Sequence, residues 1–140
     1  MGVVLEVIFT MFLVAGLAHS DEKSGNVTIG PGIPRDIDMN NPGAQNATLF
    51  AIYDYNNRSN DIYLFKVQRI HRAQVQVVAG LKYILHIDIG RTVCRKGKPY
   101  NFKSCSFQTS PPLIKTLACL FEVWVIPWRQ IWRVIVMNCQ

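Results

Sequence analysis

The chain has 140 residues, 49% of them hydrophobic, and a formal net charge of +6. That length holds one modest domain. The basic residues are scattered, with one tight cluster at Arg91 to Lys98, and they are not interleaved with aromatics. The excess therefore reads as solubility and steering toward acidic partners, and no nucleic-acid partner is expected.

The chain opens on a nearly unbroken apolar run, Val7 to Ala18, shorter than the ~20 residues that span a bilayer. Ala18 and Ser20 follow at the spacing a signal peptidase accepts, so residues 1–20 are expected to be a signal peptide cut after Ser20. No Lys or Arg precedes the run and Glu6 sits at its edge, so an uncleaved anchor is the rival reading. Arg129 and Arg133 break up the apolar C-terminal end, and no stable membrane anchor is expected there.

Residues 21–40 are rich in Gly, Pro, Asp, Ser and Asn without a period, and read as a flexible N-terminal arm centred on Gly30-Pro31-Gly32-Ile33-Pro34. The domain proper is expected over 41–140. Asn41 before Pro42 is a helix start, an Asn cap followed by Pro at the first helical position. The helix should run from Pro42 to about Asn56, with Ala44, Ala47, Ala51 and Tyr55 on one face and Phe50 and Ile52 widening it. The polar stretch Asn56 to Asp61 then stops it.

Strand patterns follow. Leu81 to Ile89 alternates, with odd positions apolar and Lys82, His86 and Asp88 opposite. Tyr63–Val75, Leu117–Val125 and Ile131–Met137 are the other candidates. Gly80 and Pro127 mark two hairpins. Arg95 to Pro112, with Gly97, Pro99 and Pro111-Pro112, is a long excursion. One helix followed by successive antiparallel strands is an α+β domain, a sheet wrapped on a single helix.

The four cysteines, Cys94, Cys105, Cys119 and Cys139, are even in number behind an export signal, which reads as two disulfides with three possible connectivities. No thiol is left over for catalysis or metal binding. Asn26, Asn46 and Asn57 head N-glycosylation acceptor triplets. His71 and His86 lie far apart on strand patterns, Asp88 and Glu122 read as solvent-facing carboxylates, and no phosphate loop or zinc spacing occurs. No enzyme, cofactor or metal is therefore expected.

Gly32, the run Gln76-Val77-Val78-Ala79-Gly80 and the pair Pro127-Trp128 occur in that order before and among the cysteines. In this the chain resembles the type 2 cystatins, secreted inhibitors of papain-like cysteine proteases, over roughly Gly32 to Gln140. The resemblance implies a cystatin-like fold, an antiparallel sheet of four to five strands wrapped around one long helix. It also implies sequential pairing, Cys94–Cys105 and Cys119–Cys139. One branch of the family forms a disulfide-linked dimer through extra cysteines in the arm and near the helix end. This chain has no cysteine in Asp21–Val93, and Arg58 stands at the second position, so a monomer is expected.

The resemblance further implies that Gly32, Gln76 to Gly80, Pro127 and Trp128 bind the cleft of cathepsin-like proteases. A rigid, apolar wedge suits a cleft with a thiolate at its floor, because it fills the space without offering a well-placed carbonyl. From spacing alone, Gly80 is an ordinary hairpin glycine and Ser59-Asn60-Asp61 an ordinary turn. By resemblance, Asn60 is also a candidate for the specificity pocket of legumain, which cleaves after asparagine. Secretion, with routing to endosomes or lysosomes, completes the expectation. The rival is a secreted cystatin-like protein without inhibitory activity, whose basic, tryptophan-bearing end, Trp128 to Val136, acts on membranes or bacteria.

Overall fold

In a computed structural model the described residues are 32–140. The expected signal peptide, the arm before Gly32 and the acceptor Asn26 lie outside them. The elements are β1 (Arg35–Asp36), α1 (Pro42–Arg58), β2 (Tyr63–Val78), β3 (Gly80–Arg95), β4 (Thr116–Ile126) and β5 (Ile131–Cys139), with short 3-10 turns at Phe102–Ser104 and Pro127–Arg129. The strands form one antiparallel sheet in the order β1-β2-β3-β4-β5. The fold is α+β, with one long helix and five strands.

The helix starts where its cap predicts. The Asn41 side chain accepts the Ala44 N–H at 3.2 Å, and Pro42 occupies the first turn, where its missing N–H costs nothing. Ala44, Ala47 and Ala51 are fully buried against the sheet, joined by Ile52 and by Thr48, whose hydroxyl donates to the Ala44 carbonyl. Small side chains on this stripe let the helix lie close to the strands. Phe65, Leu85, Ile87, Ile89, Phe121 and Val123 fill the other side of the core. Phe65 comes from β2, and the others occupy alternate positions along β3 and β4, as a strand with one buried face requires.

The helix runs two residues past the expected stop, to Arg58. Asn56 is the reason. It is buried, and its amide donates to the Phe65 carbonyl at 3.0 Å while its amide oxygen accepts the Phe65 N–H at 2.9 Å. The β2–β3 register shifts between Tyr63 and Phe65, and Asn56 serves the peptide groups at that irregularity. A polar residue read as a helix breaker is instead the fastener between helix and sheet.

A short strand enters where the sequence shows no period. Arg35 and Asp36 pair with Val75 and Gln74 of β2, and the Ile37 N–H donates to the Ala73 carbonyl. Cys94 pairs with Cys105 and Cys119 with Cys139, the latter directly across β4 and β5. The excursion after β3 is tied back by the first disulfide and by a bridge between Thr92 and Phe107.

Asn56→Ala should lower the unfolding free energy by about 2–4 kcal/mol, because two buried peptide groups lose their partners. Asn56→Asp should cost at least as much, because it sets a buried carboxylate oxygen against the Phe65 carbonyl. Urea denaturation of the three proteins checks this; equal midpoints for Asn56→Ala and the parent would refute the fastener.

Candidate functional site

Leu81, near the start of β3, pairs with Val77 of β2 on one side and with Val125 of β4 on the other. The tip of the first hairpin therefore lies beside the end of β4. Gly80 has φ +96°, a conformation that favours glycine. A Cβ there would collide with the Val125 carbonyl and come within 3.2 Å of Ile126 Cγ1. Ile126 leads directly into the Pro127–Arg129 turn, which Gln130 closes in the left-handed region with its N–H on the Pro127 carbonyl.

Gly32 joins the same end. Its N–H donates to the Val77 carbonyl at 3.0 Å, and its carbonyl accepts the Gln76 side-chain amide at 2.8 Å. Gly32, Gln76 to Gly80, Pro127 and Trp128 thus share one edge of the molecule. Val77, Val78 and Trp128 are 46%, 38% and 73% exposed, large apolar side chains presented to solvent at loop tips. Ala79 and Pro127 are exposed, Gln76 is half-buried and Gly80 is buried. None of these eight residues titrates, so the edge offers shape and apolar area but no acid, base or nucleophile.

The sequence assigns Trp124 no role at the site. Its indole Nε1–H donates to the Ala79 carbonyl at 2.7 Å, reaching from β4 to the hairpin tip. Alternation marks it only as an outward-facing strand residue, and no local signal announces a contact so distant in sequence.

Asn60 lies at the opposite end of β2, exposed in the loop between α1 and that strand. The loop is fixed from both flanks. Lys96 Nζ donates to the Ser59 carbonyl at 2.6 Å, and the Lys96 N–H donates to the Ile62 carbonyl. The Asp61 carboxylate accepts from Arg91 Nε and Nη2 at 3.0 and 2.6 Å and from the Tyr63 N–H at 2.9 Å. Arg91 also donates through Nη1 to the Leu113 carbonyl. Two members of the basic cluster read as solubility charges therefore hold this loop. Asp88 and Glu122 likewise do not simply face solvent: they pair with His71 and Lys82.

Burial works to raise the Asp61 pKa, but the Arg91 hydrogen bonds, the Tyr63 N–H and the nearby positive charge outweigh it and hold the carboxyl below its ordinary value. Of the glycosylation acceptors, Asn46 and Asn57 are exposed on α1. Among the described residues no cluster of His, Cys, Asp or Glu could hold a metal, and no helix is long and apolar enough to cross a membrane.

A helix laid on a five-stranded antiparallel sheet, with a glycine arm and two hairpin turns gathered at one edge, is the build of the cystatins. The family model for the cystatin domain matches residues 32–128, and the chain belongs to the cystatin family. It is 48% identical to cystatin-F of Mus musculus over 113 residues, covering 81% of this chain and 78% of that protein. It is 46% identical to cystatin-F of Homo sapiens over 114 residues, covering 81% and 79%. Its fold matches the crystal structure of dimeric human cystatin F with a TM-score of 0.73 at 43% identity, covering 86% of this chain and 96% of that one. Cystatins are known as inhibitors of cysteine proteases; they are not enzymes.

Because the folded-state pKa of Asp61 lies below the unfolded one, its stabilisation is complete above the unfolded carboxylate value, about 4, and is lost as pH falls toward the folded value. Asp61→Asn should cost about 1–3 kcal/mol at pH 7, as loss of a charged, largely buried hydrogen-bonded pair. The gap between parent and variant should shrink below pH 4. Denaturation midpoints from pH 7 to 2.5 check it; a gap that stays constant contradicts the assignment.

Proposed function

We propose that the chain is a reversible, tight-binding inhibitor of papain-like cysteine proteases of the cathepsin type. In this reading Gly32, the Gln76–Gly80 tip and Pro127-Trp128 enter the active-site cleft together. The observation that carries it is their convergence on one apolar edge with no reactive group. Val77, Val78 and Trp128 supply area, about 1.5–3 kcal/mol for each large side chain fully buried, before the costs of association. Turns already fixed by the sheet lose little freedom on docking. A helical or strand edge bearing a nucleophile would suit an enzyme, but this edge has none.

The membrane-active alternative is less well supported. Trp132 packs against Phe50 at 5.8 Å, and its strand is pinned by the Cys119–Cys139 disulfide, so of that segment's large apolar side chains Trp128 and Ile135 stand clear, too few for an apolar face. All four cysteines are paired, which leaves none for an intermolecular disulfide and supports a monomer. Secretion behind residues 1–20, glycans on Asn26, Asn46 or Asn57, and delivery to endosomes or lysosomes belong to the same proposal. Paired cysteines fit an oxidising compartment.

A second site is proposed at Asn60 for legumain. An enzyme that cuts after asparagine needs that side chain exposed on a loop that does not collapse, and the Lys96 and Arg91 contacts provide such a loop. The two sites lie at opposite ends of β2, so neither protease would obstruct the other.

In a papain titration the parent should inhibit reversibly at one-to-one stoichiometry. Trp128→Ala should weaken inhibition by about 30-fold or more, as loss of an interfacial hot spot does. Gly32→Trp should also weaken it, since φ +94° there is strained for any side chain. Both variants inhibiting as well as the parent would reject the wedge. For the second site, Asn60→Ala should abolish legumain inhibition and leave papain inhibition intact; undiminished legumain inhibition rejects that site alone.

A further inference from the structure

We propose that Trp124 is a positioning residue for inhibition: its indole N–H holds the Ala79 carbonyl turned toward the sheet and so fixes the shape of the hairpin tip. The proposal rests on the wedge reading above and adds to it a residue outside the three segments that form the edge.

Three features point to this role. The Ala79 carbonyl is the last one before Gly80, so its direction sets the plane of the peptide that the tip turns on. That carbonyl accepts the indole N–H at 2.7 Å, a short bond that spans from β4 to the β2–β3 turn. Its register neighbours are Lys82 on β3 and Arg133 on β5, with the Lys82–Glu122 ion pair beside it, so the ring sits between charged side chains across the strands. An amphipathic ring half-buried among charges, with its one donor spent on a loop carbonyl, is placed for that hydrogen bond.

The consequence for inhibition has two parts. A tip held by its own sheet docks without first being ordered, and preorganisation is where rigid inhibitors gain affinity. The second part concerns the protease thiolate, which reacts at carbonyl carbons. With the Ala79 oxygen engaged from the inhibitor side, that carbonyl is directed away from an oxyanion site in the cleft wall. Trp124 also couples the two hairpins, because β4 continues through Ile126 into the Pro127–Arg129 turn. Movement of the first tip relative to Trp128 must then break the Trp124 bond.

The experiment compares the parent chain with Trp124→Phe and with a chain carrying 3-benzothienylalanine at 124, which keeps the bicyclic shape but replaces the N–H by sulfur. Papain inhibition constants and amide hydrogen exchange of the free proteins are measured on the same samples. Both replacements should bind papain about fivefold more weakly, the size expected for one hydrogen bond. Exchange at Val78 to Gly80 should quicken, while the rest of β2 and β3 and the thermal midpoint stay as in the parent. Parent-like affinity of the benzothienyl chain would overturn the proposal, and so would weaker binding with unchanged exchange at the tip. If Trp124→Phe misfolds, the isosteric chain decides. A parent chain that leaves papain active would reject the wedge reading itself, and the exchange comparison would still decide whether the indole holds the tip.

Discussion

The structure depends on β3 being paired along its length on both sides. Its first residues meet the end of β2 through one tight turn and the end of β4 through the register Leu81 to Val125. Antiparallel pairing then leaves no choice about where the turns fall. The β2–β3 turn and the β4–β5 turn come out at one end, and the α1–β2 loop and the Cys94–Cys105 staple at the other. A one-residue slip of β3 would put Leu85, Ile87 and Ile89 into solvent and separate the tips. The shape of the edge is therefore linked to burial in the core.

The helix keeps that register in place. Its alanine stripe admits close approach to the sheet, and Asn56 pins its last turn to Phe65. The edge strands are tied more lightly. The arm joins through β1 and Gly32, a few backbone hydrogen bonds and the exposed Arg72–Asp36 pair, which contributes little. The β5 edge is held by the Cys119–Cys139 disulfide at the end away from Trp128. Backbone pairing thus thins from the two hairpins toward residues 32–37.

Much of the fold was legible in the sequence because its signals are local. Asn41-Pro42 announces the helix, alternation over Leu81 to Ile89 announces β3, and Gly80 and Pro127 mark the turns. What was not legible depends on distant partners. β1 is two polar residues whose pairing lies in backbone groups. Asn56 reads as a breaker until Phe65 is placed beside it. Arg91 and Lys96 read as free charge until the Ser59–Asp61 loop is brought to them. The edge residues themselves came from a family motif, whereas the bond from Trp124 to the Ala79 carbonyl needed coordinates.

The central claim is that Gly32, the first hairpin tip and the second turn act as one surface against a cysteine protease. Hydrogen exchange on the chain, free and bound to papain whose thiol has been methylated to block turnover, tests it most directly. The account predicts slowed exchange together at residues 32–33, 77–80 and 128–130, with the 59–62 loop unaffected. Protection confined to the loop at Asn60, or to β5 alone, would contradict it.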